Sequence, residues 1–132
     1  MNEAGRQGVR RQAGFRCEFC HIHERHLPFS AFHLDHIVAR QHGGTEEPEN
    51  LAWSCQECNL FKGTNLTGFD PDTGAAVRLF HPRKDLWEEH FSFMGGRIVG
   101  RTPTGRATVW LLQMNSPDRL ELRAALQAAG DL

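Results

Sequence analysis

The four cysteines fall in two C-x-x-C pairs, Cys17 with Cys20 and Cys55 with Cys58, and none is left over. Two such knuckles read as a tetrahedral structural zinc site. Residues 21–54 lie between the pairs, a longer stretch than the ~15–20 residues of a plain zinc ribbon. Something is therefore inserted between the two halves of the site. Within the insertion, and just past it, stand His33, Asp35, His36, Asn50, Asn59 and Lys62. Imidazole titrates near neutrality and suits the task of taking a proton from water. Carboxylate and amide oxygens suit a hard divalent cation. Hydrolysis of a phosphodiester needs such a base, positive charge for the phosphate, and a hold on the leaving oxygen. Spacing alone does not bring Asp35 and His36 to one site. Neighbours on a strand point to opposite faces, so the strand must twist or end there.

The elements that must position these residues are short. Residues 3–13 are rich in Arg, Gln, Ala and Glu and predict a helix that stops at Gly14. The later half of 29–38 (FSAFHLDHIV) predicts a strand. Residues 41–50, with Gly43-Gly44 and Pro48, are a loop. Residues 51–54 (LAWS) predict a second strand, and 56–62 a helix capped at Gly63. The order is strand, loop, strand, helix. Beyond it, residues 70–74 predict a turn, 77–80 a strand and 84–91 a helix. A strand at 97–101 and helices at 104–114 and from Pro117 to about 129 follow. Trp53, Trp87 and Trp110 are expected in the core.

Read as one unit, His33-Leu34-Asp35-His36-Ile37-Val38, Gly43-Gly44, Glu49-Asn50-Leu51, Cys55-x-x-Cys58-Asn59 and Lys62-Gly63 resemble the HNH endonuclease family. The likeness covers roughly residues 17–63. The flanking C-x-x-C pairs match members in which zinc braces the catalytic unit. It implies an α+β fold, in which a ββα-metal unit braced by a four-cysteine zinc site carries a C-terminal α/β extension packed on it. The expected organisation is one domain over 1–132, with the HNH core at 14–66 and the extension at 67–132. Carried over to these residues, the resemblance makes Asp35 and Asn59 ligands of a catalytic divalent metal and His36 the general base. It places Asn50 in the loop, orienting His36 through a backbone contact. Lys62, one turn after Asn59, would face the scissile phosphate. His33 lies on the same side of its strand as Asp35 and would approach the metal or phosphate. The reaction implied is nicking or cleavage of DNA, most simply double-stranded. Mg²⁺, Mn²⁺ and Ni²⁺ all satisfy an Asp, an Asn and several waters. One site cuts one strand, so a double-strand break would need a homodimer or two successive nicks.

Composition sets the bounds. A chain of 132 residues with 39% hydrophobic and 23% charged residues is ordinary for one soluble domain. The net charge of −1 argues against a strong non-specific polyanion binder. Charge is uneven, however. Acids dominate residues 46–72, whereas 78–106 carry Arg78, Arg83, Lys84, Arg97, Arg101 and Arg106. Arg97, Arg101 and Arg106 are the candidates for contacts to a nucleic-acid backbone. No apolar run approaches a membrane span, and the N-terminal stretch has no apolar signal region. A cytoplasmic location is the expectation, and there stable disulfides do not persist.

Other readings compete. One is a zinc-dependent nucleic-acid-binding module without catalysis, against which Asp35, His36 and Asn59 all stand in place. C-x-x-C also marks thioredoxin-like redox sites, but those have one such pair beside a βαβ unit. The stretch from Asp70 to Gly74 resembles half a calcium loop without its remaining ligands, and a turn explains it. His21, His23 and His26 read as surface residues, and Asn65-Leu66-Thr67 is a glycosylation sequon without relevance in the cytoplasm.

Overall fold

In the computed structural model, which describes residues 2–132, helix α1 (Glu3–Gln12) starts where Asn2 Oδ1 accepts the Gly5 N–H at 2.8 Å. That cap satisfies one of the helix's orphan donors. The helix is closed by Gly14 in the left-handed region, as expected. It packs on strand β2 (Leu51–Ser54), with the Arg6 guanidinium 4.9 Å from the centroid of the Trp53 ring.

Strand β1 (His33–His36) pairs antiparallel with β2 in the register His33 to Ser54, Leu34 to Trp53, Asp35 to Ala52 and His36 to Leu51. Every residue of β2 is buried. Helix α2 (Gln56–Lys62) follows immediately and packs on β1. Phe19, Ile22, Leu51 and Trp53 form the core of this half. Each such side chain contributes roughly 1.5–3 kcal/mol when fully buried. Strand, loop, strand and helix thus stand where the sequence puts them. The loop contains two turns of 3-10 helix, Arg40–His42 and Pro48–Asn50.

The chain divides into two units, residues 1–65 and 66–132. The second holds two hairpins: β3 (Thr67–Phe69) with β4 (Ala76–Arg78), and β5 (Phe91–Met94) with β6 (Arg97–Gly100). Helix α4 (Pro103–Leu111) lies against β3, β4 and β6, and α5 (Pro117–Ala128) against β6. Gly96 is required there, because a Cβ would fall 2.3 Å from the Ala124 backbone nitrogen of α5. Two expectations fail in this unit. The helix expected over 84–91 is a single turn, α3 (Trp87–His90), and the chain is extended again at Phe91. Its apolar residues are shared between that turn and a strand, with Trp87 stacked on Phe91 and Phe93 at about 5 Å. Trp110, expected in the core, is 70% exposed.

The turn joining β3 to β4 is built on Asp70, which is fully buried. It accepts from the Asp72 N–H at 3.0 Å and from Arg106 Nε and Nη2 at 3.0 and 2.8 Å. The Arg106 guanidinium holds its carboxyl at about 2, below the ordinary 3.8. A depressed carboxyl stabilises the fold above its unfolded value and loses that contribution as pH falls through its folded value. The Asp70 contribution is therefore full above about pH 4 and disappears towards about pH 2. Asp70→Asn should lower the melting temperature clearly at pH 7, and the deficit relative to the parent should shrink below pH 4. An equal deficit at both pH values in thermal melts would show that the ion pair is not its source.

Candidate functional site

The first knuckle is a turn closed by Cys17 N–H to Ile22 O at 3.0 Å and His21 N–H to Cys17 O at 3.0 Å. Glu18 ties it to β2, donating its N–H to Trp53 O at 2.9 Å and accepting the Trp53 N–H at 2.6 Å. The second knuckle is the start of α2, where Cys55 Sγ accepts the Cys58 N–H at 3.4 Å. All four cysteines are buried, and their sulfurs lie within 4.8 Å of one another. A tetrahedron with Zn–S bonds of ~2.3 Å has sulfurs about 3.8 Å apart, and Cys20 and Cys55 Sγ are 3.9 Å apart. Burial pushes the Cys17 thiol up. A dication at the centre supplies the charge that lets such thiols ionise, so the four sulfurs fit zinc in both geometry and electrostatics.

The register turns the Asp35 side chain towards α2. It is 2% exposed. Its Oδ1 accepts from Asn59 Nδ2 at 3.4 Å and from Lys62 Nζ at 3.3 Å. Lys62 Nζ is also 3.1 Å from Oδ2, but off hydrogen-bond geometry, so Oδ2 is buried without a hydrogen bond. Burial pushes the Asp35 carboxyl up, and the Lys62 ammonium pulls only part of the way back. A buried carboxylate oxygen that accepts no hydrogen bond, beside an amide that has an oxygen to offer, fits a hard cation.

His36 is the last residue of β1, and its ring faces the following loop, where Nε2 is 2.9 Å from Glu46 Oε1. The Asn50 side chain staples that loop. Its Oδ1 accepts the Val38 N–H at 2.9 Å, while Nδ2 donates to Val38 O at 2.9 Å and Thr45 O at 2.8 Å. The loop closes tightly enough that a Cβ on Gly44 would fall 1.6 Å from Val38 O. The backbone oxygen of Asn50 accepts the Ile37 N–H at 2.9 Å, one residue past His36.

Two knuckles, an Asp-His strand end, a stapled loop and an Asn on the following helix are then one connected arrangement.

Residues 17–65 match the HNH endonuclease family.

No curated protein and no solved structure matches the chain. The HNH segment spans both knuckles, β1, β2 and α2.

Within it Asp35, Asn59 and Lys62 come together, but Lys62 does not face outward. Its side chain is 2% exposed, and the ammonium also donates to His36 O at 3.4 Å and Ile37 O at 3.2 Å. The placement expected for it, at the scissile phosphate, gives way to one against Asp35. His33 is half-buried and two residues before Asp35, on the same face of β1. In the second unit, Arg97 and Arg101 are exposed, and Arg101 Nη1 donates to Glu88 O at 2.8 Å. Arg106, expected at a backbone phosphate, is instead engaged by Asp70 and by Asp72 at 3.1 Å. Glu46 is not among the residues that the sequence singles out. A Glu in a polar loop has no periodicity to mark it, and only the closure of the loop onto His36 reveals it.

Proposed function

We propose that this protein is a metal-dependent endonuclease that hydrolyses phosphodiester bonds in DNA. The observation that carries the reading is Asp35, buried with one oxygen that accepts no hydrogen bond, beside Asn59 and next in sequence to a histidine whose side chain is a quarter exposed. Asp35 and Asn59 would hold the catalytic cation, and a divalent ion such as Mg²⁺ or Mn²⁺ there would offset charge on the phosphate and the leaving oxygen. His36 takes the proton of a water whose oxygen bonds to phosphorus. The bond from phosphorus to the leaving oxygen breaks, and that oxygen is protonated from solvent. Lys62 holds Asp35 in place and favours its ionised form. Asn50 keeps the loop closed beside His36. His33 would steady the substrate from the same strand face, and Arg97 and Arg101 would contact DNA phosphates.

No helix among the described residues is long and apolar enough to cross a membrane. Four cysteines gathered in one cluster without a disulfide suit the reducing cytoplasm, which is the compartment we assign.

The test is relaxation of supercoiled plasmid by the purified protein. Nicking with Mg²⁺ or Mn²⁺ should appear and should stop in EDTA, while zinc stays bound if chelation is brief. DNA binding without nicking under any divalent metal would replace this reading with the zinc-dependent binding module.

A further inference from the structure

His36 is oriented by more than its strand. Glu46 Oε1 lies 2.9 Å from His36 Nε2 and also accepts from Arg40 Nε at 2.5 Å. Arg40, and after it His36, holds the Glu46 carboxyl at about 2. Near neutrality Glu46 is therefore an acceptor only. A neutral imidazole has one N–H and one lone pair. A lone pair on Nε2 would set two acceptors against each other at 2.9 Å. In the neutral ring Nε2 then carries the hydrogen, and Nδ1 keeps the lone pair.

The backbone delivers Glu46 to this position. Asn50 fixes the carbonyl of Thr45, the residue before it, and the Gly44 backbone passes against Val38 too closely for a side chain. The contact does little for the fold. Arg40 and Glu46 are largely exposed, with side chains 72% and 40% accessible, and exposed ion pairs contribute little to stability. Its consequence is orientation of a ring that is itself only 25% exposed.

The geometry points to Glu46 as the positioning residue for the proposed base: through Nε2–H···Oε1 it fixes the tautomer and the direction of the His36 ring, so that Nδ1 takes the proton of the attacking water. This rests on the nuclease reading, but the pairing itself can be observed without cleavage.

The experiment uses the full-length, zinc-loaded, ¹⁵N-labelled protein, with Glu46→Ala and Glu46→Gln in parallel. His36 ring signals are identified by their absence in His36→Ala. In the parent, neutral His36 should show an unprotonated Nδ1 and a protected Nε2–H proton. In Glu46→Ala that proton should be lost to exchange, and the ring nitrogens should move towards the values of an exposed histidine. Melting should be unchanged. In plasmid nicking, kcat should fall about tenfold or more with KM unchanged, because Glu46 acts through the base and not on DNA. Glu46→Gln keeps an acceptor oxygen and should recover part of both signals. A parent ring protonated on Nδ1, or a Glu46→Ala protein with an unaltered ring spectrum or unaltered kcat, would overturn the proposal. If no form of the protein cuts DNA, the nuclease reading falls, and the ring spectra decide the pairing separately.

Discussion

His36→Ala is expected to remove metal-dependent nicking almost entirely, while the variant stays folded and still binds DNA. General-base catalysis is worth about 10²–10⁴ in rate, and no second imidazole in the HNH segment occupies a matching strand end. The side chain is a quarter exposed, so the space its loss leaves opens to solvent and is not an enclosed core cavity. The hydrogen bonds that brace the loop run through Asn50 and the backbone, and they survive the change. Initial nicking rates, a circular dichroism melt and a gel-shift titration check the three parts of this expectation. A variant with the parent's rate would place the base elsewhere. A variant that neither folds nor binds would show that the ring supports structure more than chemistry.

Cys17→Ser is expected to have a larger effect, of another kind. Cys17 is fully buried and sits within a cluster whose other members are equally enclosed. A serine hydroxyl is a poor ligand for zinc, and the three remaining thiols would face one another without a full coordination shell. Binding of zinc to small structural sites contributes apparent free energies of about 10–16 kcal/mol, whereas whole domains are stable by only ~5–15 kcal/mol. The first unit should therefore fail to fold, and nicking should be lost with it. Zinc content by elemental analysis, together with near-ultraviolet dichroism, provides the check. A soluble, fully folded, zinc-free Cys17→Ser protein would remove the structural role from the cluster.

Both expectations rest on residues that the sequence itself makes readable. Cysteines at fixed spacing, an Asp-His pair and an Asn one residue past the last cysteine mark out a site, because metal coordination needs those residue types close together. Strands of four residues on either side of a Gly-Gly loop are also readable, and β1, β2 and α2 appear where expected. What escapes is set by tertiary packing. Lys62 at a helix end is expected to face the scissile phosphate, yet the helix lays it against Asp35 and two carbonyls. Glu46 acquires meaning only when the loop folds back. In the second unit the aromatic residues around 87–93 fit a helix by spacing and a strand by type. Pairing of Phe91 with Gly100 decides for the strand. Arg106 shows the converse, since its charge made it a candidate for DNA and its neighbour Asp70 makes it part of the fold.

The placement of the thiols has a further consequence for how this unit can change. Cys20 and Cys55 sulfurs are 3.9 Å apart, so residues 21–54 form a loop whose ends are already clamped. Closure entropy grows only logarithmically with length, and even doubling such a loop costs about 0.6 kcal/mol. The segment of 28–31 ahead of β1 is exposed, with Phe29 wholly so. Residues added there would leave the register of β1 with β2 and the cysteine cluster intact. The zinc clamp thereby uncouples the length of the approach to the site from the geometry of the site itself, and new contacts to substrate can be tried at the rim while the centre stays fixed.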